Sequence, residues 1–153
     1  MPDWLSHILI GLIVAELLNI DKKSLVVLGS LLPDFITKIY LFSFFFPMND
    51  SLLFVTRLYH APIMGLIIPA LIVPLFKYDW KKTYVFIVLG FMLHVLADGL
   101  TGKRDNVGLL LYPFSHRYFS FNMFWSDQYW IIIISCAVIY VSIKLVKSRL
   151  RKK

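Results

Sequence analysis

Long apolar stretches separated by short polar breaks run through the chain, near residues 4–20, 24–46, 52–76, 83–101 and 129–146. A helix crosses a bilayer in about 20 apolar residues. The pattern therefore predicts an all-α, integral-membrane helical bundle of about five apolar helices. The last stretch is the cleanest, with Ile131, Ile134, Val138, Ile139 and Val141 and no Asp, Glu, His, Lys or Arg between Tyr129 and Lys144. Pro33 interrupts the second stretch, and Pro62, Pro69 and Pro74 punctuate the third. Kinked or broken helices are expected there. The first stretch is short enough to re-enter or to lie along the interface. It carries His7 and Glu16 and has no Lys or Arg before it, which argues against a cleavable signal peptide.

Composition strengthens this picture. Of the 153 residues, 59% are hydrophobic and 16% charged, against about 45–50% and about a quarter in soluble domains. A soluble globule of this size would have to expose more apolar surface than water tolerates. The length suits a single membrane-embedded helical domain over 1–153, ending in a basic tail at 147–153. Cys136 is the sole cysteine, which excludes a disulfide scaffold.

The net charge of +7 gains meaning from its placement. Six of the sixteen basic residues, Lys144, Lys147, Arg149, Arg151, Lys152 and Lys153, lie in the last ten positions. With Lys22, Lys23, Lys77, Lys81 and Lys82 they put eleven cations on one side of five crossings. Lys103, Arg104 and Arg117 remain on the other, while Lys38 and Arg57 fall inside segments. The positive-inside rule then predicts a multi-pass protein of the cell membrane, with the N-terminus outside, the C-terminus cytoplasmic and one external loop over 102–128. There is no Gly-rich phosphate loop and no interleaving of basic and aromatic residues, so no nucleic-acid partner is expected. Membrane lipid is the expected partner; nothing in the sequence identifies a protein partner.

Against such an apolar background ionisable residues are expensive, and each is a functional candidate. His7 lies in the first segment, Asp34 after Pro33 in the second, His60 in the third, and His94 and Asp98 in the fourth. His116 follows in the external loop. His94 and Asp98 are four residues apart, so a helix turns both to one face at a spacing that suits one metal ion, or equally a structural His–Asp hydrogen bond. At about 1.5 Å per residue, His7, His60, His94 and Asp98 fall in the outer half of the membrane, with Asp34 deeper at roughly 18 Å unless the Pro33 break shortens the second segment. Imidazoles and carboxylates without thiolates suit one or two Zn²⁺ ions, with Mn²⁺ or Fe²⁺ as alternatives. Such a centre would activate water and polarise a phosphoryl or carbonyl oxygen. Glu16 lies nearer the inner end, with Lys22 or Lys38 as expected partner, and is left outside the site. Gly11, Gly65, Gly90 and Gly99 flank the candidates and would let helices approach closely.

These residues also carry a resemblance. Ser6-His7 with Gly11, Gly29-Ser-Leu-Leu-Pro33-Asp34, Arg57 with His60, His94-x-x-x-Asp98-Gly99-Leu-Thr and Tyr112-Pro113-Phe114-Ser115 before His116 resemble the YdjM-type family of LexA-binding, inner-membrane, metal-dependent hydrolases. The likeness covers residues 1–120, and in motif order it extends to zinc-dependent phospholipase C. It implies metal ligation by His7, Asp34, His60, His94, Asp98 and His116, with Asp34, Asp98 and His116 as catalytic residues. The family pattern has a further histidine where this chain reads Thr56-Arg57-Leu58-Tyr59, and an acidic extension after Pro33-Asp34 where it reads Phe35-Ile36-Thr37. The expected function is zinc-type hydrolysis of a phosphate ester, such as a phospholipid or lipid-linked substrate, at the outer membrane half. The alternatives are a non-catalytic multi-pass protein, either a metal or proton permease or an assembly partner, and a family member that has lost activity.

Overall fold

The computed structural model describes residues 4–37, 54–55, 58–100, 111–115, 121 and 129–150. Five α-helices make up the described fold, and no strand occurs among the described residues. They are α1 (Trp4–Leu17), α2 (Lys23–Thr37), α3 (Met64–Ile72), α4 (Trp80–Leu100) and α5 (Tyr129–Leu150), with a 3₁₀ turn, Val73–Leu75, after α3. The external loop, Lys38, Arg57 and the last three residues of the basic tail lie largely or wholly outside the described residues. Two helices, α4 and α5, are long and apolar enough to cross a membrane, whereas α1 and the α3 segment are shorter apolar helices.

Prolines act differently in the two places where breaks are expected. In the third stretch the helix begins only after the turn containing Pro62, passes through Pro69, and tightens into the 3₁₀ turn containing Pro74. Pro33 does not end its helix: α2 continues through it to Thr37. Its missing N–H leaves the Gly29 carbonyl without its usual helical donor, and its ring crowds the preceding turn.

Local chemistry closes the helix ends. Asn19 takes a left-handed conformation (φ 52°), and the amides of Asn19 and Ile20 turn back to the carbonyls of Glu16 and Ala15. This is a Schellman closure with Asn where Gly is usual, and Ile20 packs back onto Ala15. At the start of α4 the Asp79 carboxylate accepts the Lys82 amide at 2.8 Å, an N-cap.

The centre of the bundle is α2 against α4, with α1 and α3 alongside and α5 on the outer side of α1. On α4 two neighbouring ridges are buried: Ile87, Phe91 and Val95, and beside them Gly90, His94 and Asp98. The first fills the apolar clusters. The second faces α2, where the backbones touch. A Cβ on Gly90 would collide with the Val26 carbonyl oxygen and come within 2.7 Å of the Ser30 nitrogen, and one on Gly29 would collide with the Ile87 carbonyl oxygen.

Beside its apolar core the bundle buries an unusual number of polar side chains and leaves many apolar ones exposed. Ser6, His7, Glu16, Ser30, Asp34, His60, Thr83, His94 and Asp98 are buried, while Leu17, Phe35, Leu71, Leu75, Leu96 and much of the α5 surface, Val138 and Leu145 included, are exposed. No residue of α5 is buried. Soluble domains rarely expose contiguous apolar surface on this scale.

Candidate metal centre

Four segments deliver the donors. His7 comes from α1, Asp34 from α2 one residue after Pro33, His60 from the turn before α3, and His94 with Asp98 from α4. Small neighbours make the meeting possible: Gly11 lets α1 lie against Ser30 and Val26, and Gly65 lets α3 lie against Phe91 and Met92. The turn at His60 is held by Tyr59 N–H to the Val55 carbonyl and Ala61 N–H to the Leu58 carbonyl, at 3.1 and 2.9 Å.

The side chains converge tightly. His7 Nε2 is 3.4 Å from Asp98 Oδ1, and His94 Nε2 is 3.2 Å from Asp98 Oδ2. His60 Nε2 is 3.7 Å from Asp34 Oδ1 and 3.9 Å from Asp98 Oδ2. The His7 and His94 rings stack with centroids 3.8 Å apart, and His60 lies 5.5 Å from His94 at a tilt. His7, His94 and Asp98, and again Asp34, His60 and His94, each bring donor atoms within 4.8 Å of one another.

These separations discriminate between two kinds of contact. Good N–H···O hydrogen bonds fall at about 2.7–3.2 Å, and most of the pairs are longer. Two tetrahedral ligands, each about 2.05 Å from a zinc ion, stand about 3.3 Å apart. The observed spacing suits co-ligands better than mutual hydrogen bonds. Both ring nitrogens of His7 and Nε2 of His94 are buried without a hydrogen-bond partner among the described residues, which the residues of a metal site would be.

One hydrogen bond orients the centre. His94 Nδ1 lies 2.7 Å from the Ser30 carbonyl oxygen. A carbonyl only accepts, so Nδ1 carries the proton and donates it. As the imidazolium the ring would donate Nε2–H to the Asp98 carboxylate; as the neutral Nδ1–H tautomer it turns the Nε2 lone pair toward that carboxylate, an arrangement stable only with a cation between them. An imidazole braced at one nitrogen and open at the other is the usual outer support of a metal-ligating histidine. That single lone pair also belongs to both donor groups, so two ions could not each hold His94. With two carboxylates and neutral imidazoles, one divalent ion leaves the cluster uncharged.

Five of the six sequence candidates are therefore brought together: His7, Asp34, His60, His94 and Asp98. His116 lies outside the described residues. Asp34, expected deeper than the rest, instead shares their level, because α2 and α4 pack in backbone contact and carry it beside His60. Glu16 is separate from the centre, at the other end of α1. Its partners are Lys23 and Lys147 rather than the expected Lys22, and Lys38, the other expected partner, lies outside the described residues. Lys147 also donates to the Glu16 carbonyl and the Asn19 side chain, tying α5 to the end of α1.

Sequence reasoning missed the Ser30 carbonyl and the role of Gly29. A backbone acceptor has no side-chain signature, although Pro33 three residues on marked the turn where the helical ladder is disturbed. Ser6, adjacent to His7, is buried, and its hydroxyl makes no hydrogen bond among the described residues. No family model matches this chain, and no curated protein or solved structure is significantly similar to it.

Proposed function

We propose that the protein is a multi-pass membrane enzyme of the YdjM-type hydrolase class, with its N-terminus outside and its C-terminus cytoplasmic, that hydrolyses a phosphate ester at a divalent-metal centre. The observation that carries this reading is the convergence of five imidazole and carboxylate donors from four segments at co-ligand spacing, inside an apolar bundle. His7, His94 and Asp98 would hold the metal, with His60 beside Asp34 at its edge, Zn²⁺ being the ion best matched to this donor set. Bound there, it would supply Lewis acidity toward the phosphoryl oxygen and lower the pKa of a water molecule.

The chain's own residues do the rest. Ser30 holds His94 in the ligating tautomer. Asp98, facing three histidines, fixes their relative positions. Asp34, entering from α2 beside His60, takes the proton of the attacking water as its oxygen bonds to phosphorus; that proton passes to the departing alcohol as the ester P–O bond breaks. The exposed apolar residues around the site, Phe35 and Leu96 among them, favour a substrate that arrives from the lipid phase, a phospholipid or lipid-linked phosphate.

The test uses purified full-length protein. Stoichiometric zinc, together with release of a phosphorylated headgroup or a phosphate from lipid vesicles, supports the reading when both are lost in His94→Ala with Asp98→Ala. Metal without turnover on any lipid phosphate would leave the non-catalytic alternatives, which flux into proteoliposomes would separate. Absence of stoichiometric metal would refute the centre itself.

A further inference from the structure

The end of the bundle away from the metal centre carries a second, unbalanced polar feature. Lys22 sits with its ammonium 4.7 Å over the Tyr78 ring, joining the α1–α2 turn to the segment that leads into α4. Lys77, Lys81 and Lys82 lie in that same segment and in the first turn of α4, all exposed. Three acids are near in sequence: Glu16, Asp21 and Asp79. Glu16 is buried and engaged by Lys23 and Lys147, and the Asp79 carboxylate accepts the Lys82 backbone amide while keeping its charge. Asp21 and Asp79 face four exposed lysines, Lys22, Lys77, Lys81 and Lys82, which leaves a net cationic surface that favours an anion.

The surroundings say which anion. Trp80 and Tyr78 are exposed, 63% and 51%, and Phe76 stacks near Tyr78. Exposed aromatic rings beside lysines, at the first residue of a helix long and apolar enough to cross a membrane, match the headgroup layer, where such rings settle and cations meet phosphate. A nucleic-acid surface would not need to sit at the mouth of a membrane span.

We infer that Lys22, Lys77, Lys81 and Lys82, with Tyr78 and Trp80, form a binding surface for the phosphate of anionic phospholipid headgroups. The surface is independent of any hydrolytic reading of the metal centre. Tyr78 stays in the interface under Lys22, and the three lysines of the α4 entry supply the field that retains an acidic lipid over a zwitterionic one.

Full-length protein reconstituted in nanodiscs of mixed phosphatidylglycerol and phosphatidylcholine, then delipidated stepwise in detergent, is expected to retain phosphatidylglycerol preferentially by native mass spectrometry. In Lys77→Gln/Lys81→Gln/Lys82→Gln the retention ratio should fall at least about tenfold, because each lysine near an anionic surface contributes measurably, and about 0.5 M salt should reproduce the loss in the unmodified protein. If the triple variant loses helicity, Lys81→Gln alone, on an exposed helical position, should still lower the ratio about threefold. Equal retention of the two lipids, a ratio unchanged by the substitutions, or tighter lysine-dependent binding of a labelled oligodeoxynucleotide than of phosphatidylglycerol would overturn the inference.

Discussion

The imidazole of His94 on α4 donates Nδ1–H to the carbonyl of Ser30 on α2 across 2.7 Å, so that a main-chain atom of one helix decides which nitrogen of the other helix's histidine is available to a metal. The contact requires the two backbones to lie against each other. Gly29 and Gly90 permit this, since a methyl group at either would collide with a carbonyl oxygen of the facing helix.

Replacing Gly90 or Gly29 with alanine should therefore separate α2 from α4. Overpacking of this kind destabilises by about 1–3 kcal/mol, and weakening the outer partner of a ligating histidine lowers metal affinity by about 10–100-fold. Gly65→Ala should do less, because its Cβ would meet the ring edge of Phe91 and the end of Met92 rather than backbone. Thermal unfolding and zinc titration of the three variants give the comparison; a Gly65→Ala defect as large as that of Gly90→Ala would contradict this account of the seam.

Loss of a donor should outweigh loss of its support. His94→Ala, His7→Ala and Asp98→Ala are each expected to lower metal affinity by more than the about 10–100-fold typical of an outer-partner change, as measured by competition with a chelating dye. Asp98→Asn should be nearly as severe, since it keeps the shape but removes the charge facing His7, His94 and His60.

Protons and metal compete for the same imidazoles. Ligation uses the neutral ring, so binding releases protons and acidification reverses it. Zinc retained on dialysis near neutral pH should be lost toward about pH 5, where imidazoles ordinarily carry charge. Because a ligand bound only by the folded state adds about 2.7 kcal/mol at a hundred times its dissociation constant, the melting temperature should fall in parallel, and a chelator at neutral pH should have the same effect. Melting that is indifferent to chelator would speak against a bound ion.

At the opposite end, Lys147 should act as a tether. No residue of α5 is buried, and Lys147 joins it to Glu16 and Asn19 at the end of α1. Lys147→Met leaves Glu16 its pairing with Lys23, so global stability should change by only about 1 kcal/mol. Local protection of the α5 amides against hydrogen exchange should fall well before that of α4.

The sequence by itself determined the helical character, the positions of the two long apolar helices, the breaks around Pro62 and Pro74, and the identity of His7, Asp34, His60, His94 and Asp98 as the costly exceptions in an apolar chain. These are consequences of composition and of the 3.6-residue period, which a linear reading carries. His94 and Asp98 could be placed on one face by that period alone. What only the tertiary structure decided is whatever depends on how helices meet. Asp34 lies 3.7 Å from His60 because of how α2 meets its neighbours, which counting residues along one segment cannot show. Glu16 found Lys147, 131 residues away in sequence, where local spacing had suggested Lys22 or Lys38. Of the two outcomes expected at Pro33, a kink or a break, the helix is not broken: α2 runs through Pro33 to Thr37. The acceptor that sets the tautomer of His94 is a peptide carbonyl, common to every residue type, and only packing could single out that of Ser30.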